Sequence, residues 1–331
     1  MSESPPDPEA ERNGESAELW SAALASLRGE LRRRLSGERA PETEPSSVAA
    51  ASFDWVALAE DLRRRLGQFG MRERSGEVDD FGLDPEMIRS ARPLFSLLRK
   101  RWWRIEVVGL EHVPADQPVL FVANHSGLLP WDGLALAETI EEAHGAARRP
   151  RFLIADWLIT LPFVQPALAR LGGVRACREN AERLLTTGRS VVAFPEGVKG
   201  AAKTFRDRYR LQRFGRGGAV RLALAAGVPI VPVAIVGAEE THPILFKLTA
   251  PARAIGLPFL PVTPTFPWLG PLGALPLPSK WVISFGEPLV TGPGGAEAND
   301  DLLVARLTEE LRGEVQRLVK AALAIRQGVF A

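Results

Sequence analysis

The sequence predicts an α/β protein: a largely parallel central sheet flanked by helices, with a helical, partly disordered N-terminal extension. Two patterns carry this. From Ile105 onward, apolar runs of strand length alternate with helical patterns, the order that builds parallel sheets. Residues 1–50, by contrast, are rich in Glu, Ser, Pro and Ala and are expected to be mostly disordered. A length of 331 residues is ample for one large domain with appendages.

The elements follow in order. Within the acidic tail, Trp20, Leu27, Leu31 and Leu35 recur at helical spacing and predict one amphipathic helix over 18–35. A second helical pattern runs over 54–69, with Asp54 as its N-cap. Asp84-Pro85 starts a third helix, with proline at its first position. The organisation expected is a tail over 1–50, a helical linker region over 51–88 and the α/β domain over 89–331. Strands are expected at 105–108, 119–123, 152–155, 190–194, 230–236 and 281–285. Helices are expected at 133–143, 158–171, 181–187 and 217–226, and a last amphipathic helix at 300–325.

One segment breaks the alternation. No charged residue lies between Arg253 and Lys280, but seven prolines do, from Pro258 to Pro278. Those prolines exclude a continuous membrane-spanning helix. The segment is either a buried loop or an apolar surface that rests on a membrane or lines an acyl channel. Phe259, Phe266 and Trp268 suit the interfacial reading.

The net charge of +1 argues against a globally cationic nucleic-acid binder, but the charges are sorted. Arg89 to Arg104 holds six basic residues and no acid, and Lys199 to Arg216 holds seven basic residues against Asp207 alone. Interleaved with Trp102, Trp103, Phe205, Tyr209 and Phe214, these blocks point to an anionic partner: a phosphate-bearing ligand or anionic lipid headgroups. The lone Cys177 excludes a disulfide framework, and the four histidines lack metal-ligand spacing, so no metal site is expected. The N-terminus carries no secretory signal pattern, and a cytoplasmic location is expected. A Gly-x-Ser-x-Gly elbow, a Walker A loop and a full dinucleotide fingerprint are all missing from the sequence.

Four segments carry candidate chemistry. Asn124-His125-Ser126 through Asp132 follows an apolar strand and precedes a helical pattern, where open α/β sheets bind ligands. His125 with Asp132 supplies a base and an orienting carboxylate. Phe194-Pro195-Glu196-Gly197 places a carboxylate at another strand end, with Lys199 two residues on. Leu171 to Arg178 reads as a Gly-rich loop with arginines. Val228 to Val233 reads as a strand whose Pro232 requires an edge or a bulge.

In this order the four segments resemble the lysophospholipid (glycerolipid) acyltransferase superfamily, over roughly Arg89 to Leu289. The resemblance implies that 89–331 is the acyltransferase domain and that the protein is a peripheral membrane O-acyltransferase. It implies His125 as general base, Asp132 as its partner, and Arg178 as a contact to the acceptor's phosphate. Glu196 and Gly197 match the acceptor-binding block, with Lys199 at its basic position, and Pro232 the block that shapes the acyl site. The implied donor is acyl-CoA or acyl carrier protein, the acceptor a lysophospholipid, and no cofactor is required. Two departures stand out. Asp132 lies seven positions after His125, where the family's His-x4-Asp spacing would put the acid at Leu129. The third block continues Gly197-Val198-Lys199-Gly200 instead of Gly-Thr-Arg-Ser. The altered first block leaves open an alternative, a lipid-binding or membrane-scaffold protein that keeps the fold without turnover.

Overall fold

The computed structural model describes residues 78–127, 129–159, 164–254, 256–289 and 297–330. The helices expected over 18–35 and 54–69, and the boundary at residue 50, lie outside the described residues.

The third expected helix begins as predicted. The Asp84 side chain accepts hydrogen bonds from the Glu86 and Met87 backbone N–H groups, capping α1 (Pro85–Leu97), which carries Pro85 in its first turn. Arg170 donates to the same carboxylate at 2.7 and 3.1 Å, so this buried acid also ties α1 to the helix ending at Arg170. A π-turn, Leu98–Trp102, extends α1 toward the sheet.

Seven strands form one sheet. In chain order they are β1 (Glu106–Val108), β2 (Leu120–Ala123), β3 (Arg151–Ile154), β4 (Gly173–Arg175), β5 (Val191–Ala193), β6 (Ile230–Val236) and, after the insertion that holds β7 and β8, β9 (Val282–Phe285). Their lateral order is β1-β9-β6-β2-β5-β3-β4. The five strands from β6 to β4 are parallel, while β9 pairs antiparallel with β6 and parallel with β1. The C-terminal ends of β2 to β6 therefore share an edge with the starts of β9 and β1.

Both faces of this sheet are covered, and its inner strands β2, β5 and β6 are apolar and buried throughout. Successive residues of β2 point to opposite layers: Phe121 and Ala123 join α1 and α2 (Trp131–His144), whereas Leu120 and Val122 join the layer behind. That second layer holds α5 (Arg178–Thr186), α7 (Gly218–Ala226) and the long α9 (Asp301–Ile325). α9 buries Val304, Thr308, Leu311, Val315, Leu318 and Ala322, a stripe at helical spacing against the sheet.

The structure corrects several expectations. The segment read as a Gly-rich loop contains β4, a strand too short to show alternation. Of the helix expected over 158–171, the described residues form α3 (Asp156–Ile159) and α4 (Val164–Arg170), and residues 160–163 lie outside them. A short α6 (Gly197–Ala201) directly follows Glu196. Pro232 lies in an interior strand and not at an edge. Ile230 pairs with Leu289 and Val233 with Phe285, so three steps along β6 face four on the returning chain. That is a bulge, and it accommodates the missing N–H of Pro232. The proline-rich segment is the larger part of an insertion between β6 and β9, which contains a two-stranded hairpin, β7 (Phe246–Leu248) with β8 (Leu260–Val262), bridged by α8 (Ala250–Ala254). Phe259 is buried there, not interfacial, while Trp268 is exposed. Among the described residues no helix is long and apolar enough to cross a membrane.

Candidate active site

The site is built on the end of β2, the central parallel strand. Asn124, the first residue beyond it, is buried and exchanges two hydrogen bonds with the Ile235 backbone: its Nδ2 donates to the carbonyl at 2.9 Å and its Oδ1 accepts from the N–H at 2.7 Å. This clamp fastens the loop that carries His125 to β6. His125 follows, and its backbone N–H donates to Glu196 Oε1 at 2.9 Å. Its ring stacks on Phe194 at 4.5 Å between centroids.

The loop then runs outward and returns at the start of α2, which places Asp132 in the first helical turn. Gly127 takes a left-handed φ of 72°, a conformation that favours glycine. The two extra residues of the His-to-Asp interval are absorbed in this loop, and Asp132 Oδ2 lies 2.8 Å from His125 Nδ1. A carboxylate accepts only, so Nδ1 carries the proton. The same oxygen accepts from the Ser126 backbone at 3.0 Å, and Oδ1 from the Gly133 N–H at 2.8 Å. The Asp132 side chain is 0 % exposed, and the His125 side chain retains 19 % exposure. His125 Nε2 has no hydrogen-bond partner among the described residues, which leaves its lone pair available as a base.

Glu196 faces inward, opposite to what an exposed turn would suggest. Its carboxylate accepts from His125 N–H, from the Gln212 N–H at 2.7 Å and from Lys203 Nζ at 3.3 Å. Lys203 also donates to Glu239 Oε1 at 2.7 Å, and Glu239 accepts from the Tyr209 N–H. Burial pushes the Glu239 carboxyl upward, and the Lys203 charge opposes that shift. Lys203, a member of the basic block in the sequence, is thus buried and committed to two carboxylates. Gly200 stands where the family carries serine, and a Cβ there would meet Glu196 Cβ at 2.5 Å and His125 Cβ at 3.1 Å.

A cleft of about 460 Å³ opens beside His125 at the sheet's C-terminal edge. Its walls are largely apolar, with Leu153, Trp157, Leu158 and Leu222 among them, and Gly197 contributes to the lining. Arg178, Arg216 and Arg221 supply its positive charge. Arg221 is engaged by Asp301 and the Ala298 carbonyl. Arg178 is held only by a 3.6 Å ion pair with Glu182, and Arg216 has no ion-pair partner among the described residues. Apolar walls that also carry arginines suit a ligand with both an alkyl chain and an anionic group.

Of the sequence-predicted residues, the fold brings together His125, Asp132, Glu196 and Gly197, with Arg178 at the cleft. Lys199 is exposed on α6 outside the lining, and Pro232 is buried within the sheet. Sequence reasoning missed the Asn124 clamp and the Lys203–Glu239 pair. Asn124 adjoins the histidine in the chain, a local cue. The Lys203–Glu239 pairing spans the β6 crossover and leaves no cue. Among the described residues no group of His, Cys, Asp and Glu is arranged to hold a metal ion.

Fold and site together define an α/β protein with a His–Asp pair at the head of an apolar, cation-bearing cleft. Residues 104–236 match the family described as Acyltransferase, and the chain belongs to that family. It is 42 % identical over 318 residues to the uncharacterised protein Rv0502 of Mycobacterium tuberculosis, covering 95 % of this chain and 86 % of that one. The uncharacterised protein ML2427 of Mycobacterium leprae is 44 % identical over 278 residues, 83 % of this chain and 74 % of that one. A chloroplastic 1-acyl-sn-glycerol-3-phosphate acyltransferase, BAT2 of Brassica napus, is 26 % identical over 154 residues, 43 % of this chain and 40 % of that one. Among solved structures, the LPA acyltransferase PlsC of Thermotoga maritima aligns with a TM-score of 0.47 and 19 % identity, covering 83 % of this chain and 94 % of that one.

Proposed function

We infer that this acyltransferase moves a fatty acyl chain from a thioester donor, acyl-CoA or acyl carrier protein, to a hydroxyl of a glycerophosphate-type lysolipid. The observation that carries the reading is the 2.8 Å contact of Asp132 with His125 Nδ1, which leaves Nε2 unpartnered beside the cleft. The name borne by the Brassica relative supports a glycerophosphate acceptor. So does the placement of Arg178 and Arg216 on an otherwise apolar cleft.

The reaction balances without a covalent enzyme intermediate. His125 Nε2 takes the acceptor's hydroxyl proton as its oxygen attacks the thioester carbonyl. The tetrahedral adduct collapses to the ester, the C–S bond breaks, and the imidazolium returns the proton to the departing thiolate. Asp132 stabilises the imidazolium and holds the ring. Glu196, through the His125 backbone, positions the base without touching substrate. General-base catalysis of this kind contributes about 10²–10⁴-fold.

The test is acceptor-dependent thiol release by the purified protein. His125→Ala is expected to lower turnover by about 10² or more with the far-UV spectrum unchanged, and Asp132→Asn to lower kcat more than it alters KM. Wild-type turnover in His125→Ala would remove the base from the mechanism. Lysolipid binding without any acceptor-dependent thiol release would instead favour the non-catalytic lipid-binding alternative.

A further inference from the structure

The insertion between β6 and β9 has no role in the chemistry above, yet it rises from the edge of the sheet that carries His125. β6 ends there beside the Asn124 clamp, and β9 starts there. The root of the insertion touches the catalytic loop: His242 and Ile244 line a small cavity together with Gly127, two residues from His125. Ile244 and Phe259 pack on Ala202, just beyond α6, and so seat the insertion on the site's flank.

The insertion exposes several large apolar side chains. Trp268 is 74 % exposed, and Phe246 and Leu269 are each 55 % exposed, with Leu248 and Leu272 beside them in the same insertion. Hydrogen bonds tie the segments of the insertion to one another and to α1. The Leu245 N–H donates to the Val262 carbonyl at 2.8 Å, His242 Nε2 to the Ala274 carbonyl at 3.0 Å, and Trp102 Nε1 to the Pro276 carbonyl at 2.8 Å. The last bond brings the basic end of α1 onto the patch, and Trp102 is itself exposed.

Charge decides what covers this face. No acidic residue occurs from Thr241 to Lys280 or from Arg89 to Arg104. Lys100, Arg101, Lys247 and Arg253 are exposed and have no carboxylate partner among the described residues. A second copy would set like charges against one another. An anionic bilayer matches both features: its headgroups pair with the cations, and its interface accepts tryptophan and leucine.

We propose that the insertion, with Trp102 and the basic end of α1, is the docking surface for an anionic lipid bilayer. Docking through it sets the active edge of the sheet toward the membrane. The proposal deepens the acyl-transfer reading by naming the surface from which the acceptor would be drawn, but vesicle binding is measurable without turnover.

Flotation of the full chain with vesicles of phosphatidylcholine, alone or mixed with phosphatidylglycerol, tests it. The protein is expected to float with the mixed vesicles and to be released by raised salt. W268S/L272S and K247E/R253E are each expected to weaken that binding about tenfold or more, with unfolding midpoints unchanged. Both double variants should keep parental turnover on a short-chain, water-soluble acceptor. Parental vesicle binding by these variants, or no vesicle binding by the parent, would overturn the docking surface. So would a parental dimer that the same substitutions dissociate. A parent that floats with vesicles yet transfers no acyl group would sink the acyl-transfer reading and leave the surface standing.

Discussion

At the scale of single residues, the arrangement around His125 depends on buried charges behind it. Glu196 holds the His125 backbone, and Lys203 is the cation that neutralises Glu196 and Glu239 in a buried space. Removing that cation strands two carboxylates away from water. Lys203→Met is therefore expected to cost about 3–5 kcal/mol of stability, read from the urea midpoint, and adding Glu239→Gln should recover part of it. No loss in the single variant would mean that the two carboxylates find water or a proton at little cost. The sequence displayed His125, Glu196 and Gly197 because they follow closely on apolar strands, and Asp132 because it opens the helical pattern after His125. It did not display which way Glu196 turns, since its partners Gln212 and Lys203 reach it only after the chain has reversed. The seven-residue step to Asp132 looked like a departure in sequence and is a normal 2.8 Å contact in space, because the loop absorbs the extra residues.

At the scale of elements, the strands and longer helices were legible where local pattern and burial agree. β2, β6 and β9 are short apolar runs, and α1 begins at the Asp84-Pro85 signal. β4 and α6 were not legible, because three to five residues carry too little periodicity to separate a strand or a helical turn from a loop. The insertion was ambiguous for a different reason: its stretch over 254–279 carries no charge, and only packing separates Phe259, inside, from Trp268, outside. His242 gives this element a pH dependence. Burial holds its imidazole below the ordinary value of 6.5, and in this neutral form Nε2 donates to Ala274. The unfolded chain binds a proton that the folded chain resists, so stability falls as pH drops through 6.5 toward the lowered folded value. His242→Gln is expected to flatten that slope, as measured by thermal unfolding across this range. A slope as steep as the parent's would assign it to other groups.

At the scale of the whole molecule, the sheet makes the site and the core one cooperative object. Phe121 on β2 is 1 % exposed and meets Phe285 on β9 edge-on at 6.1 Å, so it joins the strand that leads into His125 to the strand that closes the insertion. Trp103 stacks on Trp281 at 4.5 Å and touches Trp131, which binds the end of α1, the start of β9 and the start of α2. Phe121→Ala is expected to cost about 3–5 kcal/mol in a single unfolding transition. Two separated transitions would show that the sheet is not shared in this way. The α/β class, the order of most strands and helices, and the residues of the His–Asp and Glu–Gly blocks can be read along the chain. Those are written in local signals: apolar period, capping residues, turn residues and the spacing of polar groups beside strands. That β9 runs against β6, that Glu196 and Lys203 turn inward, that Lys199 stays outside the cleft, and that the insertion shares an edge with the histidine emerge on folding alone. Each of these depends on which distant segments are brought together, and burial and charge pairing take their sign from those partners and not from neighbours along the chain.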